Sequence, residues 1–201
     1  MPDLLVVCTF NIARSPLLER MLQAAADGRL GDGSVAIASA GTQGAVGYPA
    51  DDAARKLAAD RGLTLEDHLS RPLFYVPVDE VPLIITMTRE HRQQLLDTGE
   101  GREGRTFLLR ELLALIEQLR DGGGSISLPG ADGDPQARLR AVAAAADGQR
   151  PVKLKRRHAD VSDPLDGRSS SFRTLGREFD EATSQLADVL FGPQASPSTR
   201  G

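Results

Sequence analysis

The chain is short of cysteine, aromatics and long apolar runs, and each shortage removes a class of protein. Of 201 residues, one is cysteine, Cys8. That excludes an intrachain disulfide and any multi-cysteine metal site, and a free thiol fits a reducing compartment. There is no tryptophan and aromatics make up 4%, which argues against a surface on which nucleic-acid bases stack. Neither sign of charge dominates: 24 Lys and Arg face 28 Asp and Glu, for a net charge of -4, so the chain as a whole shows no bias toward nucleic acid. No window approaches the roughly 20 apolar residues of a membrane span. The start, Met-Pro-Asp-Leu-Leu-Val-Val-Cys, lacks a basic region, and its apolar run is too short for a signal peptide. A cytoplasmic protein with no membrane partner is the expectation. What remains, 40% hydrophobic and 26% charged, suits one domain with a real core.

Strand and helix patterns alternate along the chain. Leu4 to Val7 reads as a buried strand, and Pro16 to Ala26 as a helix with Leu17, Leu18, Met21 and Leu22 on one face. A Gly/Asp-rich turn at 28–34 is expected to end that helix. Further strands are expected at Val35 to Ser39, Val81 to Met87 and Arg105 to Leu109. Helices are expected at Ala50 to Arg61, Glu90 to Leu96, Arg110 to Arg120 and Thr174 to Phe191. The stretch from about 121 to 151 holds Gly122-Gly123-Gly124, Gly130, Gly133 and Pro135, then an Ala-rich run. It reads as an inserted, partly mobile excursion with one short helix. The domain is expected to span 1–191, with residues 192–201 as a flexible Ser/Pro-rich tail. Alternation of this kind implies an α/β sandwich on a parallel sheet.

Cys8 ends the first strand pattern, and five residues later come Arg14, Ser15 and Pro16, where a helix opens. A loop there turns backbone N–H groups inward, and the helix adds its positive end. That setting suits a phosphate and a thiolate alike. Displacing oxygen from a phosphate monoester needs a nucleophile, a charge clamp and an acid for the leaving group. Cys8 can attack. Arg14 can grip two equatorial oxygens with its planar fork. Ser15 can donate to the sulfur and help it leave. The amides of Thr9, Phe10, Asn11, Ile12 and Ala13, with Arg14 and Ser15, form a loop of the right length to wrap one phosphate. Asp163, stiffened by Pro164, is the candidate acid. It would protonate the leaving oxygen and then activate water, with no metal and no cofactor. Taken singly, each piece has a plainer reading: a core cysteine, a helix start, a turn. Their combination favours the chemistry.

These residues resemble the low-molecular-weight protein tyrosine phosphatases, which open with a C-x5-R-S-P loop after the first strand and supply an acid from a distant D-P. The similarity extends to Ser39-Ala40-Gly41-Thr42, Gly47, Pro49 and Asp51, to His68 with Ser70-Arg71-Pro72-Leu73, and to Leu83 through Arg92. Thr106 to Leu112 fits actinobacterial members, whereas the segment at about 121–151 has no counterpart in the compact family core. The resemblance implies a four-stranded parallel sheet in a three-layer α/β/α sandwich, with the ligand at the strand C-termini. It implies a phosphomonoester hydrolase that passes through a phosphocysteine, with phosphotyrosine protein as the default substrate. It places Asn11, Ser39 and His68 in a network under the loop beside Ser15. The chain also departs from the family. Phe10 stands where members usually have Gly, and would strain the loop if positive φ is needed there, narrow the mouth, or supply an aromatic wall. Ala13 replaces a second cysteine, so no protective disulfide can form. Leu165-Asp166 stands where many members have tyrosines, which removes one aromatic wall and adds a charge that repels anions. Ile12 leaves an apolar contact for a carbon-rich leaving group.

Weaker signals count for less. Lys153, Lys155, Arg156, Arg157 and His158 form a basic run that would steer anions toward Asp163 or simply face solvent. Gly31-Asp32-Gly33 precedes a strand pattern, so a dinucleotide fingerprint is rejected. His91 and His158 lack ligand-spaced partners and are assigned to no metal. Competing functions are an arsenate reductase, which would need an external thiol, a non-catalytic oxyanion-binding module, and a plain structural domain. A phosphorylated protein or small phosphomonoester is the expected partner, with the oligomeric state left open.

Overall fold

Leu4–Cys8 form β1, five residues without an exposed side chain. A parallel strand covered on both faces reads as an unbroken apolar run, as Leu4 to Val7 does. The computed structural model describes residues 1–99, 101–121, 133–151, 158–165 and 171–193. Within them lie β2 (Ile37–Gly41), β3 (Leu83–Thr86) and β4 (Thr106–Leu108). With β1 they make one four-stranded sheet in the order β2-β1-β3-β4. All three pairings are parallel: Leu4 lies opposite both Ile37 and Leu83, and Ile84 opposite Thr106.

The helices are α1 (Arg14–Leu30), α2 (Asp52–Ala59), α3 (Arg89–Asp97), α4 (Leu109–Asp121), α5 (Pro135–Asp147) and α6 (Ser171–Phe191). Strand alternation splits β1 between two cores. Leu4, Val6 and Cys8 join the larger, with residues of α1, α2, α4, α5 and α6. Leu5 and Val7 join the smaller, with Ala38, Ala40, Leu73, Val76, Val78, Val81, Ile84 and Leu95 of α3. The expected three layers are present but unequal: one face carries most of the helices, the other α3 and two short 3-10 turns, Leu73–Tyr75 and Val78–Glu80. Among the described residues, no helix is long and apolar enough to cross a membrane.

Several boundaries differ from expectation. The first helix begins at Arg14, before Pro16, because a proline in the first turn lacks only an N–H that has no intrahelical partner there. It passes through Gly28 and stops at Gly31, whose φ of 90° suits glycine. The second strand starts at Ile37, not Val35, and ends at Gly41. The Ala-rich run forms α5, and Leu139, Val142, Ala143 and Ala146 are buried in the main core. That helix is integral to the fold, whereas residues 122–132 of the expected excursion and 194–201 of the expected tail lie outside the described residues.

The order 2-1-3-4 puts a topological switch beside β1. The chain leaves β1 for the face of α1 and leaves β3 for the face of α3, so a crevice opens between these two exits. Ligands of open α/β sheets bind in such crevices.

Candidate active site

Cys8 closes the side-chain row begun by Leu4 and Val6, so strand geometry carries the thiol to the C-terminal end of the sheet, where it is 3% exposed. The loop at 9–13 is braced by backbone from two directions. Thr42 and Gln43 donate to the carbonyls of Cys8 (2.9 Å) and Thr9 (2.8 Å), and Asp51 donates to that of Ile12 (2.8 Å). Gly41 is required for this approach, since a Cβ there would lie 2.6 Å from the Thr9 carbonyl oxygen. The first turn of α1 has no side-chain cap and no acidic residue, so its N–H groups suit an anion.

Asn11 holds the loop from inside. Its φ is 59°, the only positive value at a non-glycine among the described residues, as expected for a residue type that tolerates the left-handed region. It is fully buried, and its partners settle the direction of the bonds it makes itself. The side-chain amide donates one hydrogen to Ser15 Oγ (2.9 Å) and the other to Ser39 Oγ (2.7 Å). Ser39 then donates its own hydrogen to the Glu19 carboxylate. Ser15 Oγ, which accepts from Asn11, lies 3.0 Å from Cys8 Sγ, close enough to give its hydrogen to a thiolate there. Asn11 Oδ1 accepts from the Arg71 amide (2.9 Å), and the Asn11 carbonyl accepts from His68 Nε2 (2.7 Å). The four expected network residues, Asn11, Ser15, Ser39 and His68, are therefore in one place, with the Ser15 hydroxyl against the sulfur. Glu19 was not anticipated. Burial raises its carboxyl above the ordinary range against the lowering effect of the Ser39 bond. Its position one helical turn after Ser15 was the available signal.

Arg14, 4% exposed, reaches the loop that carries Asp163. Its Nη1 donates to the Val161 carbonyl (3.2 Å), and its Nη2 donates to Thr9 Oγ1 (3.2 Å) and pairs with the Asp163 carboxylate. That loop is fastened at several points. Val161 donates to the Met87 carbonyl at the end of β3 (2.8 Å). Arg89 pairs with Asp160 (2.8 Å), and Arg110 donates to the Asp160 carbonyl (2.8 Å) while pairing with Glu178 of α6. Asp163 Oδ1 accepts from the Leu165 amide (3.1 Å), a local turn that aims the carboxyl. Cys8, Phe10, Ile12, Ala13, Arg14, Asp163 and Leu165 line one pocket.

Phe10 is 47% exposed and Leu165 40%. Phe10 carries no positive φ, so it flanks the mouth without backbone strain. His91, assigned no role from sequence, lies here as well: its Nε2 is 2.9 Å from Thr9 Oγ1 and its side chain is buried. The signal was its place just after β3, at the same C-terminal end of the sheet as Cys8. His158 is exposed and lies away from the pocket lining. Lys153, Lys155, Arg156, Arg157 and Asp166 lie outside the described residues. Among the described residues, no cluster of three or more His, Cys, Asp or Glu is placed to hold a metal ion.

The sequence profile of the family described as low molecular weight phosphotyrosine protein phosphatase matches residues 3–123. The chain is 38% identical over 111 residues to the low molecular weight protein-tyrosine-phosphatase Etp of Escherichia coli, which is 55% of this chain and 71% of Etp. It is 36% identical over 105 residues to Wzb of Salmonella typhimurium, 52% of this chain and 66% of Wzb. The fold matches the tyrosine phosphatase AmsI of Erwinia amylovora with a TM-score of 0.60 at 24% identity, over 94% of each chain. It also matches an arginine phosphatase YwlE carrying a phosphorylated active-site serine, with a TM-score of 0.64 at 22% identity, over 92% of this chain and 93% of that one. The profile stops short of Asp163, while the structural matches extend well past residue 123.

Proposed function

We propose, on the premise that the chain belongs to the low molecular weight phosphotyrosine protein phosphatase family, that it hydrolyses phosphomonoesters through a phosphocysteine and that phosphotyrosine on protein is its substrate. The observation that carries this is one pocket bringing together the Cys8 thiol, the Arg14 guanidinium and the Asp163 carboxyl, with the Ser15 hydroxyl 3.0 Å from the sulfur.

In the first step the Cys8 thiolate attacks phosphorus, an S–P bond forms and the P–O bond to the leaving group breaks. Arg14 spans two equatorial oxygens, and Asp163 gives its proton to the departing oxygen. In the second step water attacks phosphorus, the Asp163 carboxylate takes its proton, and the S–P bond breaks to release inorganic phosphate. The Ser15 hydroxyl steadies the departing thiolate. No cofactor enters either step. Phe10, Ile12 and Leu165 offer carbon to the leaving group, which supports an aromatic ester. Phe10 thereby supplies a wall from within the loop itself.

The test is a phosphopeptide panel of phosphotyrosine, phosphoserine and phosphoarginine, with p-nitrophenyl phosphate as reference, against wild type and Cys8→Ser. Hydrolysis of phosphotyrosine above the others is expected. Cys8→Ser is expected to abolish turnover and still bind vanadate. Turnover retained in that variant refutes the mechanism, and a preference for phosphoarginine refutes the substrate.

A further inference from the structure

We infer that His91 is a positioning residue for the phosphate clamp: acting through the Thr9 hydroxyl, it holds the Arg14 guanidinium where an incoming phosphoryl group needs it. This rests on the phosphatase reading above and deepens it.

His91 and Arg14 come from opposite faces of the sheet. Arg14 opens α1 after β1, and His91 lies in the first turn of α3 after β3, where its amide donates to the capping Thr88 hydroxyl. The two meet across the switch-point crevice through Thr9 Oγ1, which accepts from Arg14 Nη2 at 3.2 Å and lies 2.9 Å from His91 Nε2. The guanidinium has three anchors on its terminal nitrogens: the Val161 carbonyl, the Thr9 hydroxyl and the Asp163 carboxylate. A phosphate dianion competes with Asp163 for the same cation, and proton transfer to a leaving group draws Asp163 away as well. Val161 and Thr9 are neutral and are not displaced in this way. They are the anchors that remain when substrate is bound.

Hydrogen bookkeeping makes Thr9 dependent on His91. His91 is 4% exposed, and its Nδ1 has no hydrogen-bond partner among the described residues. A bare ring nitrogen without a partner costs less than a buried N–H without one, so the proton is assigned to Nε2, which donates to Thr9. The Thr9 oxygen thus receives a hydrogen from each side, and both lone pairs are committed. The charged groups that face His91 are Arg14, Asp163 and Asp160. Burial first, and then the Arg14 charge, lower its ionisation to about 4. It is therefore neutral near pH 7, and a neutral ring can lie beside the guanidinium without repelling it.

A double-mutant cycle on the full-length protein tests this, reading vanadate inhibition and p-nitrophenyl phosphate kinetics for wild type, Thr9→Val, His91→Leu and the pair. Each single change is expected to weaken vanadate binding about tenfold, the loss of one hydrogen bond to a charged clamp, about 1.4 kcal/mol. KM is expected to rise more than kcat falls, because the clamp grips ground and transition states alike. His91→Gln, which keeps an N–H for Thr9, is expected to recover part of the loss. The pair is expected to be no worse than the poorer single variant, since His91 acts through Thr9. Additive losses, or no loss on changing His91, overturn the inference. Should His91→Leu fail to fold, His91→Ala runs the same cycle. A wild type that neither turns over nor binds vanadate refutes the phosphatase reading itself, whereas an active wild type with an additive cycle refutes only the role of His91.

Discussion

Asp163 is asked to do two things that conflict. In the free protein its carboxylate pairs with Arg14, and in the reaction it must carry a proton to a leaving oxygen while Arg14 turns to phosphate. The exchange is cheap because the loop beneath the carboxyl does not depend on that pair. Val161, Asp160 and the Arg110 bonds hold it in place. Removing the carboxyl therefore separates the two roles. Asp163→Ala is expected to slow turnover by about 10²–10⁴ for alkyl phosphates, whose leaving oxygen needs the proton, and far less for p-nitrophenyl phosphate. Phosphate is expected to bind at least as tightly as to wild type, because Arg14 loses its competitor. The measurement is the dependence of kcat/KM on leaving-group basicity across a series of aryl and alkyl phosphates. An equal loss along the series removes Asp163 as the acid.

At the scale of elements, every strand and every helix with a wide apolar stripe was legible, because parallel strands and amphipathic helices carry their periodicity in the chain. Leu4 to Val7, Leu83 to Ile85 and the α6 stripe Leu175, Phe179, Ala182, Leu186 are of that kind. Within the site, Cys8, Arg14 and Ser15 were legible because one loop carries them, and Asp163 because Pro164 follows it. The network of Asn11, Ser39 and His68 needed a resemblance, since nothing in their own neighbours points to one another. Glu19, His91 and the Val161 carbonyl became visible only when strands far apart in sequence lay side by side. The Ala-rich run shows its helix but not its packing, because its flank is glycine-rich and alanine marks a core face weakly. Yet Leu139, Val142, Ala143 and Ala146 follow helical spacing and are buried against the rest. Leu139→Ala is accordingly expected to cost about 2–5 kcal/mol in chemical denaturation, as for a core leucine. A cost below about 0.5 kcal/mol, the mark of a surface position, would return α5 to the status of an appendage.

For the whole molecule, the two buried ionisable groups around the loop give stability opposite dependences on pH. Glu19 ionises above its ordinary range because of burial, so its contribution is present below about pH 4.5 and lost as pH rises through its raised value. His91 is lowered from 6.5 to about 4, chiefly by burial. Above pH 6.5 neither the folded nor the unfolded chain protonates it, and the fold keeps its full stability. Between pH 6.5 and about 4 the unfolded chain takes up a proton that the folded chain refuses. Stability then falls by about 1.4 kcal/mol per pH unit, for a total of about 3 kcal/mol. Wild-type curves mix the two effects, but Glu19 is common to wild type and His91→Gln and cancels in their difference. Denaturant unfolding of both proteins at half-unit steps from pH 4 to 7.5 is expected to give a difference that is constant above pH 6.5. Below that it should close steadily as wild type weakens relative to the variant. A difference that stays flat through the acid limb would mean that His91 carries its proton in the folded protein, beside Arg14. In that case the clamp would hold two positive charges, not one.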